Sequence, residues 1–168
     1  LLVQGLVNSF GAGVMAAFAA GVKIDAFAYM PVQDFGNAFS TFIAQNHGAG
    51  KGARIRRGLR DAACAAVLFS LAVSAAVWCL ARPLMGLFVE SEETAVVNIG
   101  VEYLRIEGAF YCGIGVLFLL YGLFRALGRP GISVVLTVIS LGTRVVLAYV
   151  LSALPAFGVT GIWWAVPI

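Results

Sequence analysis

Charge is what this chain has least of. Only 11 % of its 168 residues are Asp, Glu, Lys or Arg, while 61 % are hydrophobic. A soluble domain carries roughly a quarter charged residues, and one core of this length cannot hide so much apolar surface. The natural solvent is therefore lipid. Histidine is almost missing too. His47 is the single one and lies at the edge of an apolar run, without the neighbours that catalysis or metal binding needs. Cys64, Cys79 and Cys112 all fall inside apolar runs with no metal-ligand spacing, so they read as small apolar filler. Ser9, Ser40 and Ser70 lack the His and Asp setting of a triad. The segment His47-Gly48-Ala49-Gly50-Lys51-Gly52 only hints at a phosphate loop. It lacks the first glycine, has no hydroxyl after Lys51 and follows an apolar helix. With no nucleophile and base and no metal cluster at membrane depth, the chain reads as no enzyme, and no metal or organic cofactor is expected.

The start also lacks Met and a basic leader, and both ends are apolar. This predicts no signal peptide and a fragment cut from a longer membrane protein. Most basic residues lie in short loops between apolar runs, which argues against nucleic acid as a partner.

What is present is a series of apolar runs. They predict an all-α, polytopic transmembrane bundle with helices over about 1–10, 14–46, 60–88, 95–127, 132–154 and 159–168. The first and last are partial spans. Lys51, Arg54, Arg56, Arg57 and Arg60 follow the second helix, and Arg125 and Arg129 flank the turn after the fourth. The positive-inside rule puts loops 47–60 and 125–131 in the cytoplasm. The loop with Glu90, Glu92 and Glu93 has no basic residue and falls outside.

The second helix breaks the apolar rule. It carries Lys23, Asp25 and Asp34, and Pro31 near its centre. Charge at membrane depth is costly and marks a candidate site. At 100° per residue, Asp25, Tyr29, Gln33, Gly36, Asn37 and Ser40 share an arc of about 120°. Lys23, Asp34 and Thr41 form a second strip. Such strips serve either a water-filled cavity or the gluing of helices by amides and hydroxyls. Pro31 predicts a bend and frees a carbonyl near Phe27. On the fourth helix, Arg105 is spaced to pair with Glu102, leaving Glu107 to point into a cavity as a protonatable group. Arg144 sits in mid-span and needs an acidic or carbonyl partner from another helix.

The runs Met30–Lys51, Glu102–Phe110, Leu123–Gly131 and Gly158–Ile168 together resemble the second half of a MATE multidrug and toxic compound extrusion transporter. The likeness covers essentially the whole chain. It implies twelve helices in two six-helix lobes around a central cavity, of which this chain is the C-terminal lobe. It implies a multi-pass plasma-membrane antiporter that exports small organic, often cationic, compounds in exchange for Na⁺ or H⁺. The partners implied are the bilayer and the N-terminal lobe. The cavity residues expected are Asp25, Tyr29, Gln33, Asp34, Asn37 and Glu107. One branch of that family has an acidic cation ligand where this sequence has Ile114, so that ligand does not carry over. The rival readings are a lipid-linked oligosaccharide flippase of the same superfamily and a non-transporting membrane assembly protein. The flippase would be expected to line its cavity with several cationic residues, and only Lys23, Arg105 and Arg144 are available.

Overall fold

The computed structural model describes residues 2–90, 93–154 and 158–167. Six helices follow in chain order: α1 (Leu2–Asn8), α2 (Ala12–Gly48), α3 (Gly52–Met85), α4 (Thr94–Ala126), α5 (Pro130–Ser152) and α6 (Gly158–Ala165). The four from α2 to α5 are long and apolar enough to cross a membrane. No strand occurs among the described residues. The chain is thus the all-α transmembrane bundle that its apolar runs predict. Glu92 and the turn at Pro155 lie outside the described residues.

The main departure from the sequence reading is at α3. It starts at Gly52 rather than near residue 60, so most of the basic segment is helix, not loop. Its 34 residues make a rod of roughly 51 Å against a hydrocarbon thickness of ~30 Å. The surplus turns stand beyond the hydrocarbon, where arginine is both solvated and a good helix former. α2 also outlasts its predicted end and runs unbroken through Pro31 to Gly48.

The turns after α2 and α4 share one device. Gly50 and Gly128 have φ of 66° and 71°, a left-handed conformation that glycine adopts at no steric cost. In the first, Lys51 N–H donates to the Asn46 carbonyl at 2.9 Å and Gly50 N–H to His47 at 3.0 Å. In the second, Arg129 N–H donates to Phe124 at 3.0 Å and Gly128 N–H to Arg125 at 3.2 Å. Each is a Schellman motif, which satisfies the orphan carbonyls of a helix end and turns the chain sharply. A glycine in each basic turn therefore makes α2/α3 and α4/α5 close antiparallel neighbours.

α4 is the central helix, packed on α2 and α3 and touching α5 and α6. Its crossing with α2 is set by two glycines. A Cβ at Gly122 would lie 2.5 Å from the Gly36 carbonyl oxygen, and one at Gly36 would lie 2.9 Å from that of Phe118. Small residues allow such backbone contact, which is how helices gain packing energy in lipid. Beside this crossing Phe39, Ile43, Ala62, Ala66 and Leu119 form one apolar cluster. A second, larger cluster joins Phe18, Ile24, Val77, Leu104 and Trp163 near the other end.

Candidate functional site

Away from the glycine crossing, the helices line an open cavity of about 930 Å³. Its wall comes from α1, α2, α4, α5 and the segment after α6, and no residue of α3 contributes. Two acidic side chains reach it. Asp25 of α2 and Glu107 of α4 are each only 5 % exposed.

α4 builds its half by simple spacing. Tyr103, Glu107 and Tyr111 are four residues apart and so stack on one face, and all three line the cavity. Tyr103 donates its hydroxyl to Glu107 Oε1 at 3.4 Å, and Tyr111 donates to Asp25 Oδ1 across the helix interface at 2.5 Å. The other oxygens, Asp25 Oδ2 and Glu107 Oε2, are buried without a hydrogen bond among the described residues. A buried oxygen left in this way is expensive in lipid-surrounded protein. Arg144 of α5 lines the same cavity, with its Nε likewise buried and without a hydrogen bond. It is the basic residue that the cavity wall contains.

Aromatic packing fixes the Glu107 end. Phe18 and Trp163 stack with centroids 5.6 Å apart, and Tyr103 meets both rings edge-on at 5.6 and 5.1 Å. Such pairs add about 0.5–1.5 kcal/mol each beyond their buried area. Gly21 makes room for this arrangement, because a Cβ there would lie 2.4 Å from the Tyr103 ring. The Tyr103 hydroxyl is thereby held beside Glu107. Further along, Tyr29 packs against Phe118 with centroids 6.1 Å apart.

Of the six expected cavity residues, Asp25, Tyr29, Gln33 and Glu107 come together around this space. Asp34 and Asn37 do not line it. Asp34 is exposed, and the helical pitch sets it about 180° from Asp25. Asn37 lies toward the α4–α5 turn, where its side-chain oxygen accepts a hydrogen bond from Arg125 at 2.7 Å. The expected Arg105–Glu102 pair is replaced by other partners. The Arg105 guanidinium lies 5.1 Å from the Trp78 ring centroid, and Glu102 accepts a hydrogen bond from Thr160 at 2.8 Å. Lys23 lies 5.9 Å from the Phe88 ring centroid.

Sequence reasoning passed over Tyr103 and Tyr111, although their four-residue spacing from Glu107 was a readable signal. It left Arg144 without a place. Ile114 also lines the cavity, three residues beyond Tyr111. The acid on this face therefore sits two helical turns from Ile114, at Glu107.

A bundle of membrane-length helices folded around a cavity with two buried carboxylates has the build of a membrane transporter. The MatE family model matches residues 1–150, and the chain belongs to that family of transporters, whose members are not enzymes. It is 32 % identical over 140 residues to the probable multidrug resistance protein YpnP of Bacillus subtilis (strain 168), covering 83 % of this chain and 31 % of that protein. It is 27 % identical over 169 residues to the FAD transporter of Shewanella oneidensis, covering 99 % and 36 %. It is 24 % identical over 168 residues to the probable multidrug resistance protein YoeA of Bacillus subtilis (strain 168), with the same shares. The chain spans about a third of the length of these curated relatives.

Proposed function

We propose that this chain is the C-terminal lobe of a secondary multidrug antiporter that exports organic, often cationic, compounds in exchange for Na⁺ or H⁺. The observation that carries this reading is the convergence of Asp25 and Glu107, from different helices, on one cavity. In this reading the deprotonated acids hold a cationic compound or Na⁺. Their protonation, or exchange of one cation for the other, releases the cargo and favours rocking of this lobe against its N-terminal partner. Tyr111 and Tyr103 orient the two carboxylates through the oxygens that they donate to. The protein lies in the plasma membrane with the Gly50 and Gly128 turns in the cytoplasm, as their arginines suggest.

A second reading concerns the cargo. Arg144 in the cavity suits an anionic group, and one relative is named for FAD transport. Both readings are separated by full-length transporter in inside-out vesicles, offered either ethidium or FAD under an imposed ion gradient. Ethidium uptake that is lost in Asp25→Asn and Glu107→Gln but kept in Arg144→Gln supports the cationic cargo. FAD uptake that is lost in Arg144→Gln supports the second reading. Ion-driven ethidium uptake that survives in both acid variants removes Asp25 and Glu107 from the mechanism.

A further inference from the structure

The four arginines at the start of α3 are turned away from the fold. Arg54, Arg56, Arg57 and Arg60 are all exposed, and none makes an ion pair or side-chain hydrogen bond among the described residues. Their helical turns are nevertheless held in place. Ile55 and Leu59 pack with Phe42, Leu123 and Leu127 around the apolar cluster of α2, α3 and α4. Gly58 lets α3 lie flush, because a Cβ there would stand 2.4 Å from the Phe42 ring. Ile55, Leu59, Ala62 and Ala66 thus share one narrow face of about 60°, while Arg56, Arg57 and Arg60 occupy an arc of about 100° on the opposite side.

The basic face does not end at the bilayer surface. The row from Arg57 and Arg60 continues, at spacings of three and four, through Cys64, Leu68 and Leu71. Cys64 is exposed, and Leu68 and Leu71 are 68 % and 53 % exposed. The row lies on the one long helix that contributes nothing to the cavity. Two cations one turn apart, at the end of a charge-free span and above an open apolar strip, match a phosphate and the acyl chain below it. Asp61 is the one acid among these turns, and it is exposed and makes no ion pair with Arg57.

We propose that this face of α3 binds an anionic phospholipid of the adjoining leaflet. Arg57 and Arg60 take the headgroup phosphate, Arg54 and Arg56 supply the surrounding positive potential, and an acyl chain lies along Cys64, Leu68 and Leu71. The site is independent of the transport reading, because it shares no residue with the cavity.

The test is lipid retention by the full-length transporter in detergent, read by native mass spectrometry, with phosphatidylglycerol offered against phosphatidylcholine. The wild type is expected to keep phosphatidylglycerol in preference. Arg57→Gln/Arg60→Gln is expected to weaken that retention about 25-fold, at about fivefold per arginine. Lys51→Gln/Arg129→Gln removes the same charge from the same end and is expected to weaken it less than fivefold. Arg57→Lys/Arg60→Lys keeps most of the retention and guards against misfolding of the first variant. An equal loss in the two Gln doubles would reduce the effect to general surface potential and overturn the site. So would a wild type without preference, or displacement of the lipid by soluble glycerol 3-phosphate at equal concentration.

Discussion

α2 and α3 are nearly the same length, and both are apolar enough to cross a bilayer, yet they treat charge in opposite ways. α3 gathers four arginines and Asp61 into its first ten residues and leaves 62–81 free of charge. α2 carries Lys23, Asp25 and Asp34 along its length and buries one of them. The difference is supplied by neighbours. Asp25 meets a hydroxyl from α4 and Lys23 an aromatic ring beyond α3. The span of α3 packs without a charged side chain: Ala62, Ala66, Ser70, Val77 and Ala81 are buried, and Ser74 and Trp78 donate hydrogen bonds to carbonyls of α4. The one charge that α2 buries is the one to which a second helix brings a hydroxyl, while Lys23 and Asp34 stay exposed.

The strongest test of this contrast takes the charge out of α2. Asp25→Asn keeps an oxygen for the Tyr111 hydroxyl but removes the negative charge. Ion-driven efflux by the full-length protein is expected to fall tenfold or more, about 1.4 kcal/mol or above, with thermal stability in detergent little changed. Asp34→Asn, on the opposite face, is expected to stay within about twofold of wild type in the same assay. Equal effects from both would erase the distinction between the two aspartates.

The converse experiment puts a charge into α3. Val73→Asp places a carboxylate near the middle of its charge-free span, residues 62–81. The expected cost is roughly 3 kcal/mol, visible as loss of membrane-inserted protein in a glycosylation-mapped translation assay. Normal insertion would mean that α3 tolerates what only α2 is thought to accommodate.

A smaller effect is expected where α2 and α4 touch. Gly122→Ala drives a methyl group into the Gly36 carbonyl and should cost about 1–3 kcal/mol, measured as a lower unfolding temperature in detergent. Gly142→Ala on α5 meets nothing within 4 Å and should be neutral or slightly stabilising, since alanine is the better helix former. The smallest change is Lys23→Gln, which removes the contact with Phe88. At this exposed site it is expected to cost about 0.5–1 kcal/mol, read in the same thermal assay.

Much of this was legible in the sequence, and the part that was not has a physical cause. The spans follow from apolar runs whose length is fixed by the bilayer. The glycine turns follow from a conformation that other residues resist. Asp25 and Glu107 stood out because ionisable residues are rare in apolar helices. Pitch alone puts Asp34 on the far side of α2 from Asp25, so keeping it among the cavity residues followed its charge and overrode its angle. Tyr103 and Tyr111 were passed over because a tyrosine shows its hydroxyl partner only once α2 and α4 are docked. Arg144 depends on α5 closing over the cavity, a matter of tertiary packing that no local pattern records. The helical state of the arginine-rich segment was missed because a run of like charge reads as loop, although Ile55 and Leu59 already had helical spacing.

The glycine contact between α2 and α4 is one of two clamps. Backbone meets backbone at Gly36 and Gly122, while Asp25 and Glu107 stand roughly 16 and 22 Å away along their own helices. Beyond the acids the same two helices close again, where Gly21 leaves just enough room for the Tyr103 ring. Each carboxylate therefore sits on a beam held on both sides of it, and the spacing between the two acids is fixed by packing rather than by the acids themselves.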